Sequence, residues 1–307
     1  MAEGSVAERL AAWEAAGERI DAGGHQIWTA RFAATDPSAG HPPMLVLHGF
    51  PTCAYDWNPV LPALRAQRDV VVVDVSGFGL SDKPDRRYGI AGYADDVEAA
   101  LAHHGLLGGE VDLVTHDMGD TVGGELLART LDGALDLHVR RRVVSNGSIY
   151  IGMAQLTMGQ EMLLSLPDAR EDLVGADEGV AFRGGVTATF APDRPAEVDD
   201  VEIDVVVALA VRERGLSLLP RTIRYIEDRR AHEDRYTGAI ESHPSPVGVV
   251  WGELDPVAVH AMAERFVEAR ADAPLTTLEG IGHYPMVEAP GRFADAVLSL
   301  LDEELAP

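Results

Sequence analysis

Four short apolar runs in the first half of the chain, each closed by a turn, leave little freedom in what this sequence can fold into. They are MLVL at 44–47, DVVVVDV at 69–75, VDLVTH at 111–116 and HVRRRVVS at 138–145. Runs this short, bounded by turn residues, read as buried strands. Helical patterns at 89–104 and 118–131 fall among them. Strands with continuous apolar stretches that alternate with helices imply a mostly parallel sheet with helices on both faces, an α/β fold. The rhythm returns late in the chain, with a strand at 247–255, a helix at 257–271, a strand at 275–279 and a helix at 290–304.

The flanking and intervening segments read differently. Residues 1–22 suggest one amphipathic helix and 25–35 a strand. Between 148 and 242 no core-type strand is evident, and helical patterns occupy 201–215 and 218–235 around a Gly, Asp and Glu-rich stretch at 171–200. The expected organisation is an α/β core of residues 1–147 and 243–307 carrying a helical cap of residues 148–242. Met153, Met158 and Met162, near-helical in spacing, fit cap core or pocket lining.

Composition bounds the partners. Fifty acidic residues face 25 Lys and Arg, a formal net charge of −25. Such a surface repels nucleic acid phosphates and anionic lipid heads. The single cysteine, Cys53, excludes an intramolecular disulfide and fits a reducing cytoplasm. The charged N-terminus lacks the apolar core of a signal peptide, and no run of about 18 apolar residues suggests a membrane span. Metal-ligand spacing and phosphate loops are absent, and SGFG at 76–79 lacks the GxGxxG pattern. The expectation is a cytoplasmic monomer or homodimer with no metal and no cofactor, acting on a small apolar molecule.

The chemistry concentrates where strands end. Asp117 lies between the VDLVTH run and a helix, at the carboxyl end of a strand, where open α/β sheets place ligands. Gly119 and, less well, Thr115 allow a tight turn there. An Asp in this position is also a favoured helix N-cap. Asp255 follows the VGVVWGE run, and His283 follows LTTLEGI. Taken singly, Asp255 could cap the following helix and His283 could be a loop histidine. Three strand ends bearing nucleophile, acid and histidine in that order are hard to explain that way, because this is the chain order of α/β-hydrolase triads. His48-Gly49-Phe50-Pro51 closes the MLVL strand, and there the backbone N–H groups of Phe50 and Met118 would form an oxyanion hole. His116 fits structural packing beneath the turn.

The blocks HGFP, DVSGFGLSDKP, THDMGD, GELDPV and GHYPMVEAP resemble the α/β-hydrolases with an aspartate nucleophile, the epoxide hydrolase and haloalkane dehalogenase group. LHGFPTCAYDW, HDMGDTV and SNGSIY are most similar to its mesoderm-specific transcript-like (MEST-like) subgroup. The resemblance implies attack by Asp117 on a saturated carbon, an alkyl-enzyme ester, and hydrolysis of that ester by water activated by His283 and Asp255. It also implies an acid for the leaving group. Dehalogenases place a Trp after the nucleophile, where this chain has Met118. Epoxide hydrolases use cap tyrosines, and Tyr225 in RTIRYIEDR matches that block, with Tyr150 and Tyr236 as candidates for a second. Each could also be a packing residue, and the ring-opening role is read first for Tyr225. Asp120, where the family usually has a small residue, could be a salt-bridged structural group, or it could lie near Asp117 and compete for its charge. Epoxide hydrolysis leads, with dehalogenation and a non-catalytic ligand-binding protein of the same fold as alternatives.

Overall fold

The computed structural model describes residues 4–170, 173 and 179–302. Eight strands form one sheet: β1 (Glu18–Asp21), β2 (Gln26–Phe32), β3 (Met44–Leu47), β4 (Val70–Asp74), β5 (Glu110–His116), β6 (His138–Ser145), β7 (Val247–Gly252) and β8 (Leu275–Leu278). Their spatial order is β1-β2-β4-β3-β5-β6-β7-β8. The first two strands are antiparallel and the rest run parallel. Val70–Asp74, Met44–Leu47 and Val247–Gly252 are buried along their whole length. Both faces of the central sheet are therefore covered, which is why those runs are apolar without alternation.

The parallel arrangement brings the carboxyl ends of β3, β5, β6, β7 and β8 to one edge of the sheet. At that edge Asp117 follows β5 and Asn146 follows β6, both at positive φ. Among the described residues, 148–242 contain helices and no strand, including Met158–Ser165, Val180–Thr187, Asp200–Val211, Tyr225–Ala231 and Glu233–Ser242. The expected stretch 171–200 lies partly outside the described residues.

Three expected helices are broken. The N-terminal one runs only from Val6 to Ala16, started by a Ser5–Glu8 capping box. At Gly17 a Cβ would sit 2.5 Å from the Thr29 carbonyl oxygen, so the chain turns extended and pairs as β1 against β2. Gly23 and Gly24, both at positive φ, close that hairpin. The 201–215 helix stops at Val211, because Glu213 (φ 49°) and Arg214 (φ 63°) are left-handed. The 218–235 stretch is short helical pieces, and the last helix extends to Ser242.

The N-terminal helix ties the helical segment down. Arg9 donates to Asp199 at 2.7 Å and Glu202 at 2.8 Å, and Arg212 makes a bidentate pair with Glu14.

Candidate active site

The turn between β5 and the helix Met118–Leu131 holds Asp117 at φ 51°, ψ −116°, a conformation that costs a non-glycine residue of order 1–3 kcal/mol. Surrounding packing maintains it. A Cβ on Gly119 would lie 2.6 Å from the Leu47 carbonyl oxygen, and one on Gly49 would lie 2.5 Å from the Asp117 Cβ. The turn and the loop after β3 thus fit together only with glycine at both places. Thr115 is accommodated because Gly123, one turn along the helix, leaves room for its methyl.

Asp117 does not act as a helix cap, since its side chain makes no bond to the helix it precedes. Its carboxylate turns instead to the loop after β3, where the Phe50 N–H donates to Oδ1 at 2.7 Å. The Phe50–Pro51 bond is cis. Met118 is fully buried and opens the helix, so its N–H has no intrahelical acceptor.

His283 Nε2 lies 3.6 Å from Asp117 Oδ2, and Nδ1 lies 2.8 Å from Asp255 Oδ2. Asp255 is fully bonded: Oδ1 accepts from the Val257 and Ala258 N–H groups at 2.7 and 3.0 Å, and Oδ2 also accepts from Asn146 Nδ2 at 2.7 Å. Its local turn and its bond to His283 use different oxygens, so the capping reading and the histidine-orienting reading both describe it. With Nδ1–H committed to Asp255, Nε2 faces Asp117. Burial alone would lower the His283 pKa, but Asp255 and then Asp117 outweigh it and push it up to about 9.

Four further groups shape the site, and none of them was apparent in the sequence. Asn146, at φ 50°, ends β6 and bridges Asp255 to the Gly252 N–H at 3.1 Å. Its position at a strand end was the available signal. Glu288, fully buried, accepts from the N–H groups of Ala191, Gly282 and Tyr284 at 2.8, 3.0 and 3.0 Å. It joins the His283 loop to the helical segment, as does the 3.0 Å bond from His283 N–H to the Thr189 carbonyl. Tyr284 stacks edge-on against His283, with centroids 4.9 Å apart. Asp56, held by Thr52, is pushed up to about 8 chiefly by burial.

Asp120 is not salt-bridged. Thr115 Oγ1 donates to it, and burial followed by the Asp117 charge raises its pKa well above the carboxylate range. Burial also keeps His116 neutral, with Nδ1 bonded to the Ser145 carbonyl at 3.1 Å and its ring against His283.

Of the expected tyrosines, only Tyr225 comes to this place. It is buried, its ring centroid lies 5.6 Å from that of Phe50, and burial followed by the Asp117 charge raises its pKa. Tyr150 donates to Glu241 at 2.7 Å, and Tyr236 donates to Asp228 at 3.4 Å. None of the three tyrosines lines the cavity beside His283. That cavity, about 200 Å³, has Phe50, His283 and Tyr284 on its core side and Leu163, Phe182 and Val186 opposite. Met162 lines it as well, whereas Met158 is exposed.

An eight-stranded, mostly parallel sheet with these residues gathered at its carboxyl edge defines a hydrolase of the α/β class. Residues 44–296 match the Alpha/beta hydrolase family, and the chain belongs to it. LipZ of Mycobacterium tuberculosis, which bears an inferred hydrolase name, is 39% identical over 265 residues, 85% of this chain and 88% of that protein. The mesoderm-specific transcript homolog protein of Homo sapiens is 32% identical over 273 residues, 86% of this chain and 80% of that one. Solved structures share the fold at lower identity. Cfl2 from Burkholderia cenocepacia has a TM-score of 0.76 at 19% identity, covering 93% of this chain and 95% of that one. The enol-lactonase from Burkholderia xenovorans LB400 has 0.73 at 18%, covering 93% and 100%. Among the described residues there is no cluster fit to hold a metal ion, and no helix long and apolar enough to cross a membrane.

Proposed function

We propose that this hydrolase opens epoxides to diols through a covalent ester on Asp117. The observation that carries the reading is the direction of the Asp117 side chain, with Oδ1 on the Phe50 N–H and Oδ2 towards His283. In the reaction Oδ2 attacks an epoxide carbon. The C–O bond breaks, its electron pair goes to the epoxide oxygen, and that oxygen takes the Tyr225 proton. Oδ1 becomes the ester carbonyl, already seated on the Phe50 N–H with the Met118 N–H as second donor. Water then gives a proton to His283 Nε2 and attacks that carbonyl. The alcohol leaves with the His283 proton, and the acid proton of regenerated Asp117 returns to Tyr225.

The electrostatics time the two steps. In the free enzyme two carboxylates raise the His283 pKa, so the imidazole is largely protonated at neutral pH and is a poor base. Ester formation removes the Asp117 charge and with it one of those influences. The His283 pKa falls, the imidazolium releases its Nε2 proton to solvent, and the neutral imidazole is then a base when water is needed.

The apolar cavity fits an apolar substrate in a cytoplasmic enzyme that needs neither metal nor cofactor. A halide would need a pair of donors such as indole or amide N–H groups; among the described cavity-lining residues there is no Trp, and Gln160, whose Oε1 accepts from the Thr157 N–H, is the one side-chain amide. The test is incubation of His283→Gln with styrene oxide. The expected result is a stoichiometric mass increase on the peptide containing Asp117, with diol release from wild type. Turnover of an epoxide by wild type with no such adduct in the variant would sink the covalent mechanism, and halide release from haloalkanes without diol formation would redirect the substrate class.

A further inference from the structure

Arg229 lies four residues beyond Tyr225 on the helix Tyr225–Ala231, so the two share a face. Its guanidinium carbon is 5.6 Å from the centre of the Tyr225 ring. The residue is 2% exposed, yet Nε and Nη1 have no hydrogen-bond partner, and Arg229 forms no ion pair among the described residues. Arg68, equally buried, is paired with Asp112 at 2.7 Å and with Asp302. A cation held in the interior without an anion is destabilising, so its retention asks for an anion that is present at some stage of the working cycle.

The proposed reaction creates one. As the ester forms, Asp117 loses its negative charge and Tyr225, having given up its proton, gains one. We propose that Arg229 is a positioning residue for Tyr225, stabilising the phenolate left when the epoxide oxygen takes the phenol proton. This rests on the ring-opening role of Tyr225 given above. A fixed cation against the ring interacts more strongly with the phenolate than with the phenol, so it favours the later state over the earlier one, which is what acceleration requires. Arg229 need not touch substrate.

The experiment is single-turnover formation of the Asp117 ester from styrene oxide, followed by mass, beside hydrolysis of the accumulated ester. The proteins are wild type, Arg229→Met, Arg229→Lys, Tyr225→Phe and the Arg229→Met, Tyr225→Phe double variant. Arg229→Met should slow ester formation about 5- to 30-fold and leave ester hydrolysis unchanged. Arg229→Lys should recover part of the loss. In the Tyr225→Phe background Arg229→Met should have no further effect, because no phenolate forms there. Equal slowing of both steps, or the same loss with and without the Tyr225 hydroxyl, overturns the inference while leaving the epoxide reading standing. If Arg229→Met does not fold, Arg229→Lys and Arg229→Gln carry the contrast, and equal ester-formation rates in those two overturn it. A wild type that forms no ester with any epoxide fails the ring-opening reading and this inference with it.

Discussion

The α/β core and the helical segment 148–242 hold their reactive groups by different means. In the core, backbone does the holding. Asp117 is fixed by a positive-φ turn, Asp255 by two N–H groups and an amide, and the His283 loop by Glu288 and the Thr189 carbonyl. In the helical segment Tyr225 is held by ring contacts with Phe50 and Arg229, and its hydroxyl has no protein hydrogen bond among the described residues. One region sets geometry to within a bond length, while the other sets an environment. Under the proposed mechanism each region has its own step: core variants should damage nucleophile and water, and variants of the helical segment should damage leaving-group protonation.

The largest expected effect falls on Asp117, the proposed nucleophile. Asp117→Ala should abolish diol formation and adduct, since the nearby Asp120 carboxyl is engaged by the Thr115 hydroxyl and does not take its place. Asp117→Asn keeps the shape and removes the charge. Its initial rate should be at background, and deamidation can restore activity slowly. By NMR its His283 should titrate clearly below the value of about 9 that the intact site imposes, because one raising carboxylate is gone while Asp255 remains. An unmoved His283 titration would mean Asp117 has no electrostatic hold on the base, and the timing argument would fail. Asn146→Gly is the intermediate case. It tolerates φ 50° but strips one donor from Asp255 and leaves the Gly252 N–H unpaired. Stability should drop about 1–3 kcal/mol in urea unfolding, and ester hydrolysis should slow more than ester formation. Equal slowing of both would blur the division between regions.

The same contrast explains what could be read from the chain. Asp117, Asp255 and His283 each follow an apolar run, and a strand places its end residue predictably, so order and spacing brought them to notice. Tyr225 required a block resemblance, because helix breaks in 148–242 carry no compositional mark. Glu213 and Arg214 are ordinary helix residues, yet both adopt left-handed backbone. Glu288 stayed hidden for another reason: its three donors come from residues 191, 282 and 284, and only the assembled fold puts them around one carboxylate. Asp56 was passed over because a buried acid and an exposed one look alike in sequence.

The smallest expected effect is the most discriminating. Tyr150 and Tyr236 are tyrosines of the same segment as Tyr225, and a sequence argument treats the three alike. Their hydroxyls, however, bond to Glu241 and Asp228, whereas the Tyr225 ring packs 5.6 Å from that of Phe50, whose N–H holds Asp117. Removing such a hydroxyl loses one hydrogen bond to a charged acceptor, about 1.5–3 kcal/mol in stability at most for Tyr150 and less for the longer Tyr236 contact. It removes nothing from the reacting atoms. Tyr150→Phe and Tyr236→Phe should therefore keep kcat/KM for an epoxide within about twofold, whereas loss of a general acid costs of order 10²–10⁴ in rate. Tyr225→Phe belongs to that second class. If Tyr150→Phe or Tyr236→Phe fell with it, the helical segment would have to rearrange on binding to bring a second phenol over Asp117, and the picture of a preformed environment built around Tyr225 alone would give way.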